Sequence, residues 1–209
     1  VAPERRAATQ LGGVVLAGGR SRRMGTDKAL LPFADTTLLG HVVRRLRTCC
    51  DPVYVVASAL QRGCGPDVPV VADRWPGLGP LAGIEAGLRA CPTPCAAVVA
   101  CDLPFVQPAL LTGLADLLEG VDAAVPVTDR PHPLCAVYRR DAAQVAEAIL
   151  RAGGGSVRQL LARIRVRYVP EEVLRGWDPD LLSFVNVNTP ADYLAALARV
   201  RPGAGPSPR

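Results

Sequence analysis

Val14-Val15-Leu16-Ala17-Gly18-Gly19-Arg20-Ser21-Arg22-Arg23-Met24-Gly25-Thr26-Asp27-Lys28 is the stretch that decides how this chain is read. The apolar run Val14-Val15-Leu16 reads as a short buried strand. The glycine pair behind it permits a sharp turn and a close approach of backbone to a ligand, because neither residue carries a Cβ. Successive N–H groups in such a turn converge on a concavity suited to anionic oxygens. Arg20, Arg22, Arg23 and Lys28 all fall within ten residues of the pair. Strand, glycine turn and clustered cations together describe a polyphosphate site at a strand end.

Spacing excludes the two commonest phosphate loops. A Walker loop reads Gly-x-x-x-x-Gly-Lys-Ser/Thr, whereas five residues separate Gly19 from Gly25 and Thr26-Asp27 stand before Lys28. The dinucleotide fingerprint reads Gly-x-Gly-x-x-Gly into a helix, and Gly18-Gly19 followed by five residues without glycine does not supply it.

Outward from this loop, strands and helices alternate. Thr37 to Cys49 reads as a helix with Leu38, Leu39, Val42, Val43 and Leu46 on its apolar face and Arg44, Arg45 and Arg47 largely outside. Val53–Val56 and Val68–Val71 read as strands, and Leu81–Ala90 as a helix behind a Gly/Pro-rich loop. Ala96–Cys101 is an uninterrupted apolar strand closed by Asp102-Leu103-Pro104. Further helices are expected at Pro108–Leu118, Asp141–Ala152, Val157–Ala162 and Pro190–Val200. Further strands are expected at Ala123–Val127, Leu134–Tyr138, Val166–Val169 and Phe184–Val187. This order predicts a single α/β domain: a three-layer, doubly wound, mostly parallel sheet. Its expected span is 12–200, between a flexible N-terminal tail at 1–11 and a disordered Pro/Gly/Arg tail at 201–209.

Composition agrees with that class. Of 209 residues 49% are hydrophobic but only 4% aromatic, so Val, Leu and Ala must fill the interior, as strands buried on both faces require. No apolar run is long enough to span a membrane, and residues 1–10 lack the apolar core of a secretory signal. The formal charge of +5 favours anionic partners. Neither a zinc-finger spacing nor an aromatic-rich basic strand is present, so nucleic acid is not expected as a partner. Seven cysteines and only His41 and His132 offer no ligand-spaced zinc set; buried, reduced thiols and a cytoplasmic location are expected.

Ligands of such sheets bind outside the carboxyl ends of the strands, where further polar residues fall. Asp102, directly after the central apolar strand, suits Mg²⁺, a hard cation that prefers oxygen; a turn or cap aspartate is the alternative. Asn186 and Asn188 flank Val187 and share a face if extended, suiting a metal-bound water, a ribose or a phosphate, or else capping the next helix. Asp73 ends its own short strand, as a polar ligand or a turn former.

Taken in order, these motifs resemble the nucleotidyltransferases typified by molybdenum cofactor guanylyltransferase. The loop from Leu16 to Lys28 is similar to that family's N-terminal signature. Gly79-Pro80-Leu81-Ala82-Gly83 is similar to its second glycine segment, and Cys101-Asp102-Leu103-Pro104 to its metal-binding element. Pro131-His132-Pro133-Leu134 resembles the strand on the acceptor side, and Phe184 to Pro190 the C-terminal signature. The resemblance implies a Rossmann-like nucleotidyltransferase fold and Mg²⁺-dependent transfer of GMP from GTP to the phosphate of molybdopterin. It implies nucleotide contacts at Leu16, Ala17, Gly18, Gly19, Lys28, Asp73, Gly83 and Asp102, with Asp102 holding Mg²⁺. Arg23, Lys28 and Asp102 would be catalytic, and Asn186, Asn188 and His132 would face the acceptor. Cofactor-receiving molybdoenzymes or their chaperones follow as further partners. Ala57-Ser58 stands where some members carry a nucleotide-contacting asparagine. Ala17-Gly18-Gly19, where cytidylyl relatives tend to read Ala-Ala-Gly, favours GTP. The alternatives are a cytidylyltransferase for molybdopterin and a guanylyltransferase acting on another phosphorylated small molecule.

Overall fold

The computed structural model describes residues 10–17, 28–57 and 68–200. Strand β1 (Leu11–Leu16) is buried along its whole length and begins one residue inside the expected tail. A hairpin of β2 (Pro32–Phe33) and β3 (Thr36–Thr37) follows. Its arms are too short to leave a hydrophobic period in the sequence. Thr37 caps α1 (Leu38–Leu46), its hydroxyl accepting from Gly40 N–H at 3.1 Å and so satisfying a donor of the first turn. The buried face of α1 is Leu38, Leu39, Val42, Val43 and Leu46, as its spacing predicts.

The chain continues through β4 (Val53–Ala57), β5 (Val70–Ala72), α2 (Pro80–Ala90) and β6 (Cys95–Ala100). Then come α3 (Pro108–Asp116), β7 (Ala123–Val127), β8 (Cys135–Arg139), α4 (Ala142–Arg151) and α5 (Val157–Leu161). The last elements are β9 (Val166–Pro170), α6 (Glu171–Leu174) and α7 (Pro190–Val200).

Seven strands form one sheet in the order β5-β4-β1-β6-β8-β7-β9. Only β8 runs antiparallel to its neighbours. The short connection from β7 cannot hold a crossover helix, so β8 must turn back on it. Side chains alternate between the faces. Val15, Ala97 and Val99 pack with Val42, Leu46, Leu110 and Leu114 on one face. Val14, Leu16, Ala96 and Val98 pack with Leu81, Ile84, Ile149 and Leu160 on the other. This is the expected three-layer, doubly wound arrangement.

Helix α2 lies unusually close to β1. A Cβ on Gly87 would fall 2.2 Å from Val14 Cγ1, and one on Gly83 would fall 3.1 Å from Leu16 Cδ2. The two glycines, one helical turn apart, are what let the helix settle on the strand that leads into the basic loop. No helix among the described residues is long and apolar enough to cross a membrane. The six described cysteines form no disulfide with one another, and all but Cys49 are buried.

One expected strand is absent. Leu182–Phe184 forms a 3-10 turn instead, entered through Leu181 at φ 52°. The buried carboxylate of Asp178 accepts from the N–H groups of Leu182 (3.1 Å) and Ser183 (2.8 Å). A local side-chain acceptor competes with ladder pairing for those donors, so the segment curls. The apolar Phe-Val-x-Val pattern reflects a small third core, in which Val187 packs with Phe33, Leu38 and Ala196, and not a place in the sheet.

Candidate active site

The chain leaves β1 toward β4 and β5 on one side, then returns across the sheet to β6 on the other. The crevice lies at this switch point, outside the carboxyl ends of β1 and β6. Leu16 pairs in register with Val56 and with Ala100. Past the strand ends, Cys101 N–H donates to the Leu16 carbonyl at 3.0 Å and Ala17 N–H to Val56 at 2.9 Å. Asp102 is thereby fixed beside the Leu16-Ala17 backbone.

Lys28 opens a 3-10 turn (Lys28–Leu30) at the far end of the basic loop. Its Nζ lies 2.7 Å from Asp102 Oδ2 and donates also to Asn188 Oδ1 at 3.1 Å. Three residues from the first, third and last motifs of the sequence therefore meet in one cluster. Lys28 and Asp102 retain only 20% and 14% side-chain exposure, so solvent screens their pairing less than it would on an open surface.

The second carboxylate oxygen of Asp102, Oδ1, is buried and has no hydrogen-bond partner among the described residues. An anionic oxygen left in that condition is costly, and a hard cation would satisfy it. Among the described residues no group of three or more His, Cys, Asp or Glu could cage a metal. Mg²⁺ commonly takes one or two carboxylates and completes its octahedron with waters and substrate phosphates. Asp102 fits such a half-built site.

The other expected residues are distributed along the same edge. Asp73 follows β5, two strands from β1, and its Oδ1 accepts from Trp75 N–H at 2.7 Å in a tight turn; it stands apart from the Lys28 cluster. Gly83 lies beneath Leu16 and acts there through close packing. Asn186 is half-buried two residues before Asn188. Gly18, Gly19 and Arg23 lie outside the described residues, as do Arg20, Arg22 and Ser58.

His132 sits in the β7–β8 connection, which turns at the carboxyl edge of β7. Its ring lies against Phe184 with centroids 4.3 Å apart, and its Nε2 is 2.7 Å from Thr128 Oγ1. That hydroxyl donates its only proton to Asp129 Oδ1 at 2.8 Å. It can then only accept from the imidazole, which assigns the Nε2–H tautomer. Burial, reinforced by Arg130 and opposed by Asp129, holds the His132 pKa below its ordinary 6.5. A neutral imidazole is therefore presented on this side of the crevice.

The loop that follows Asp102 is clamped by Arg45, which the helical spacing places outside, and by Gln107 and Ser183, which no motif marks. Arg45 turns inward instead of facing solvent: its Nε donates to the Val106 carbonyl at 2.6 Å and its Nη2 to Gln107 Oε1 at 3.0 Å. Gln107 N–H donates in turn to Ser183 Oγ at 2.9 Å. The spacing that put Arg45 outside α1 was correct for the helix alone and blind to a loop arriving over its end.

This geometry can be set beside known proteins. A family model described as a MobA-like NTP transferase domain matches residues 13–169. The chain belongs to the MobA-like NTP transferases. Within that family it is 39% identical over 188 residues to a protein of Pelotomaculum thermopropionicum named probable molybdenum cofactor guanylyltransferase, covering 90% of this chain and 92% of that one. It is 34% identical over 194 residues to the molybdenum cofactor guanylyltransferase of Desulfosudis oleivorans, covering 91% and 96%. The crystal structure of molybdopterin-guanine dinucleotide biosynthesis protein A from Archaeoglobus fulgidus superposes with a TM-score of 0.80 at 32% identity, covering 90% and 98%. The Archaeoglobus fulgidus structure therefore shares the fold over nine-tenths of this chain.

Proposed function

We propose that this protein transfers GMP from GTP to the phosphate of molybdopterin, releasing pyrophosphate and forming the guanine dinucleotide cofactor. The observation that carries the reading is the Lys28–Asp102–Asn188 cluster at the switch point, in a chain similar over nine-tenths of its length to named guanylyltransferases.

Attack by a phosphate oxygen on the α-phosphorus brings two anions together. The chain's task is alignment and neutralisation of charge that builds on the α-phosphoryl group and the leaving pyrophosphate. Lys28 supplies a positive charge beside the carboxyl ends of β1 and β6. The Leu16-Ala17 backbone, held between Val56 and Cys101, offers a rigid edge for the nucleotide, and Gly18, Gly19 and Arg23 are assigned to its phosphates. Asp73 serves the nucleotide from the end of β5, two strands away. Asp102 would hold Mg²⁺, which when bound draws charge from phosphate oxygens. The phosphate nucleophile is already ionised at neutral pH, so the reaction needs no general base. Asn186, Asn188 and neutral His132 line the acceptor side.

A cytoplasmic location fits the six described cysteines, which form no disulfide with one another, and molybdoenzymes or their chaperones would receive the product. The decisive assay is Mg²⁺-dependent pyrophosphate release with GTP or CTP, with and without molybdopterin on a carrier protein. Release that needs GTP and molybdopterin together is the expected result. Release with CTP would move the donor assignment, and release without molybdopterin would overturn the acceptor.

A further inference from the structure

Lys28 occupies the carboxylate that a divalent cation would need. Its ammonium sits 2.7 Å from Asp102 Oδ2 and is held from a second side by Asn188 Oδ1 at 3.1 Å, while Asp102 Oδ1 remains buried and unpaired among the described residues. A cation arriving at Oδ1 would face the ammonium across a single carboxylate, in a pocket where both side chains are largely shielded from water. Like charges so placed repel strongly.

We infer that Lys28 is an internal counter-ion that keeps a free divalent cation off Asp102 until a nucleoside triphosphate draws the ammonium away. The inference rests on the guanylyl-transfer reading and adds to it the order in which the site fills. Lys28 has two alternative partners, Asp102 with Asn188 in the resting protein and phosphate oxygens in the loaded one. Moving between them transfers one positive charge from the carboxylate to the nucleotide, and Asp102 becomes available to the cation that accompanies that nucleotide. Asn188 is a positioning residue in this scheme, because it holds the resting arrangement. The device prevents the site from being filled by cation alone, and it makes nucleotide and metal binding mutually supportive, as any shared equilibrium requires.

The test is Mn²⁺ binding to the nucleotide-free protein, read from the electron paramagnetic resonance signal of unbound Mn²⁺. Lys28→Met is expected to bind Mn²⁺ about tenfold or more tightly than wild type, within the usual range of such couplings. Lys28→Arg, which keeps the charge, is expected to resemble wild type. Asn188→Ala loosens the ammonium and should fall between, which gives a second reading if Lys28→Met does not fold. Equal Mn²⁺ affinity in wild type, Lys28→Met and Asn188→Ala overturns the exchange. So does tight nucleotide-free binding that survives in the double variant Lys28→Met/Asp102→Ala, since the cation would then sit elsewhere. These readings need no turnover, whereas failure of the transfer reading itself shows as absent pyrophosphate release in wild type.

Discussion

The backbone N–H of Val187 donates to the carbonyl of Asp102 across 2.9 Å, joining the C-terminal motif to the central loop of the site. Beside that bond, the Val187 side chain is buried with Phe33, Leu38 and Ala196. The β2–β3 hairpin, α1 and α7 therefore combine to hold one residue, and the next residue along, Asn188, is delivered to Lys28. A segment that looks like a strand in sequence is in fact a strap across the mouth of the switch point.

Val187→Ala should show this coupling. Loss of buried methyl groups is expected to cost about 1–3 kcal/mol, and turnover should fall further than in a comparably destabilised variant of another core cluster, such as Val125→Ala. Pyrophosphate release measured beside thermal melting decides it. Equal loss in the two would mean the strap serves stability only.

Asp102→Asn removes the charge and keeps the shape. The variant should melt close to wild type, because the Val187 bond uses the Asp102 backbone and not its side chain. Turnover should drop by roughly 10²–10³-fold, the scale of losing one electrostatic contact to a transition state. Near-normal turnover would remove Asp102 from the machinery.

Gly87→Ala tests the seating of α2 on β1. The added Cβ would meet Val14 Cγ1 at 2.2 Å and Cγ2 at 3.0 Å, and both strand and helix are packed on all sides, so neither can withdraw freely. Overpacking of this kind costs about 1–3 kcal/mol. Gly120→Ala is a poor comparison because its φ of 74° carries its own strain. Ala86→Gly, on the same helix, is no cleaner, because it removes a buried methyl group besides about 1 kcal/mol of helix propensity. A Gly87→Ala protein that melts at the wild-type temperature would show the helix to be more loosely seated than its contacts indicate.

Much of this architecture was legible in the sequence. Ala96 to Cys101 and Val14 to Leu16 could only be strands buried on both faces, and alternation with ten-residue helices set the layers. Asp102 and Lys28 were legible because each sits where a strand end and a glycine loop require it. Other features were not. The β2–β3 hairpin carries no periodicity, and Phe184–Val187 mimics a strand because apolar residues report burial without saying against what. The inward turn of Arg45 depends on a loop distant in the chain, and the Thr128–His132 bond and the Asp178 cap, though local, leave no hydrophobic period that would mark them.

The two histidines give the protein a pH dependence that can be worked out in sign. His41 Nε2 is buried without a hydrogen-bond partner among the described residues, and its ring packs edge-on against Phe33 at 4.9 Å. Burial first, then Arg45 and Arg44, hold its pKa below 6.5, while the Pro104 carbonyl and Asp35 pull the other way. His132 is lowered in the same direction, again chiefly by burial. An unfolded chain would titrate both near 6.5, so between that pH and the lower folded values the unfolded state binds more protons. Stability then falls as the pH falls through this window, and the histidine contribution is flat above about pH 7 where neither state is protonated. The carboxylates of Asp122 and Asp192, whose pKa values are lowered by Arg165 and by the Asn188 and Thr189 amides respectively, lose their contribution only at more acid pH. Melting temperature recorded from pH 8 to pH 5 should therefore bend downward near about pH 6.5. In His41→Phe/His132→Asn the bend should vanish over that range, and a bend that persists in the double variant would assign it to other groups.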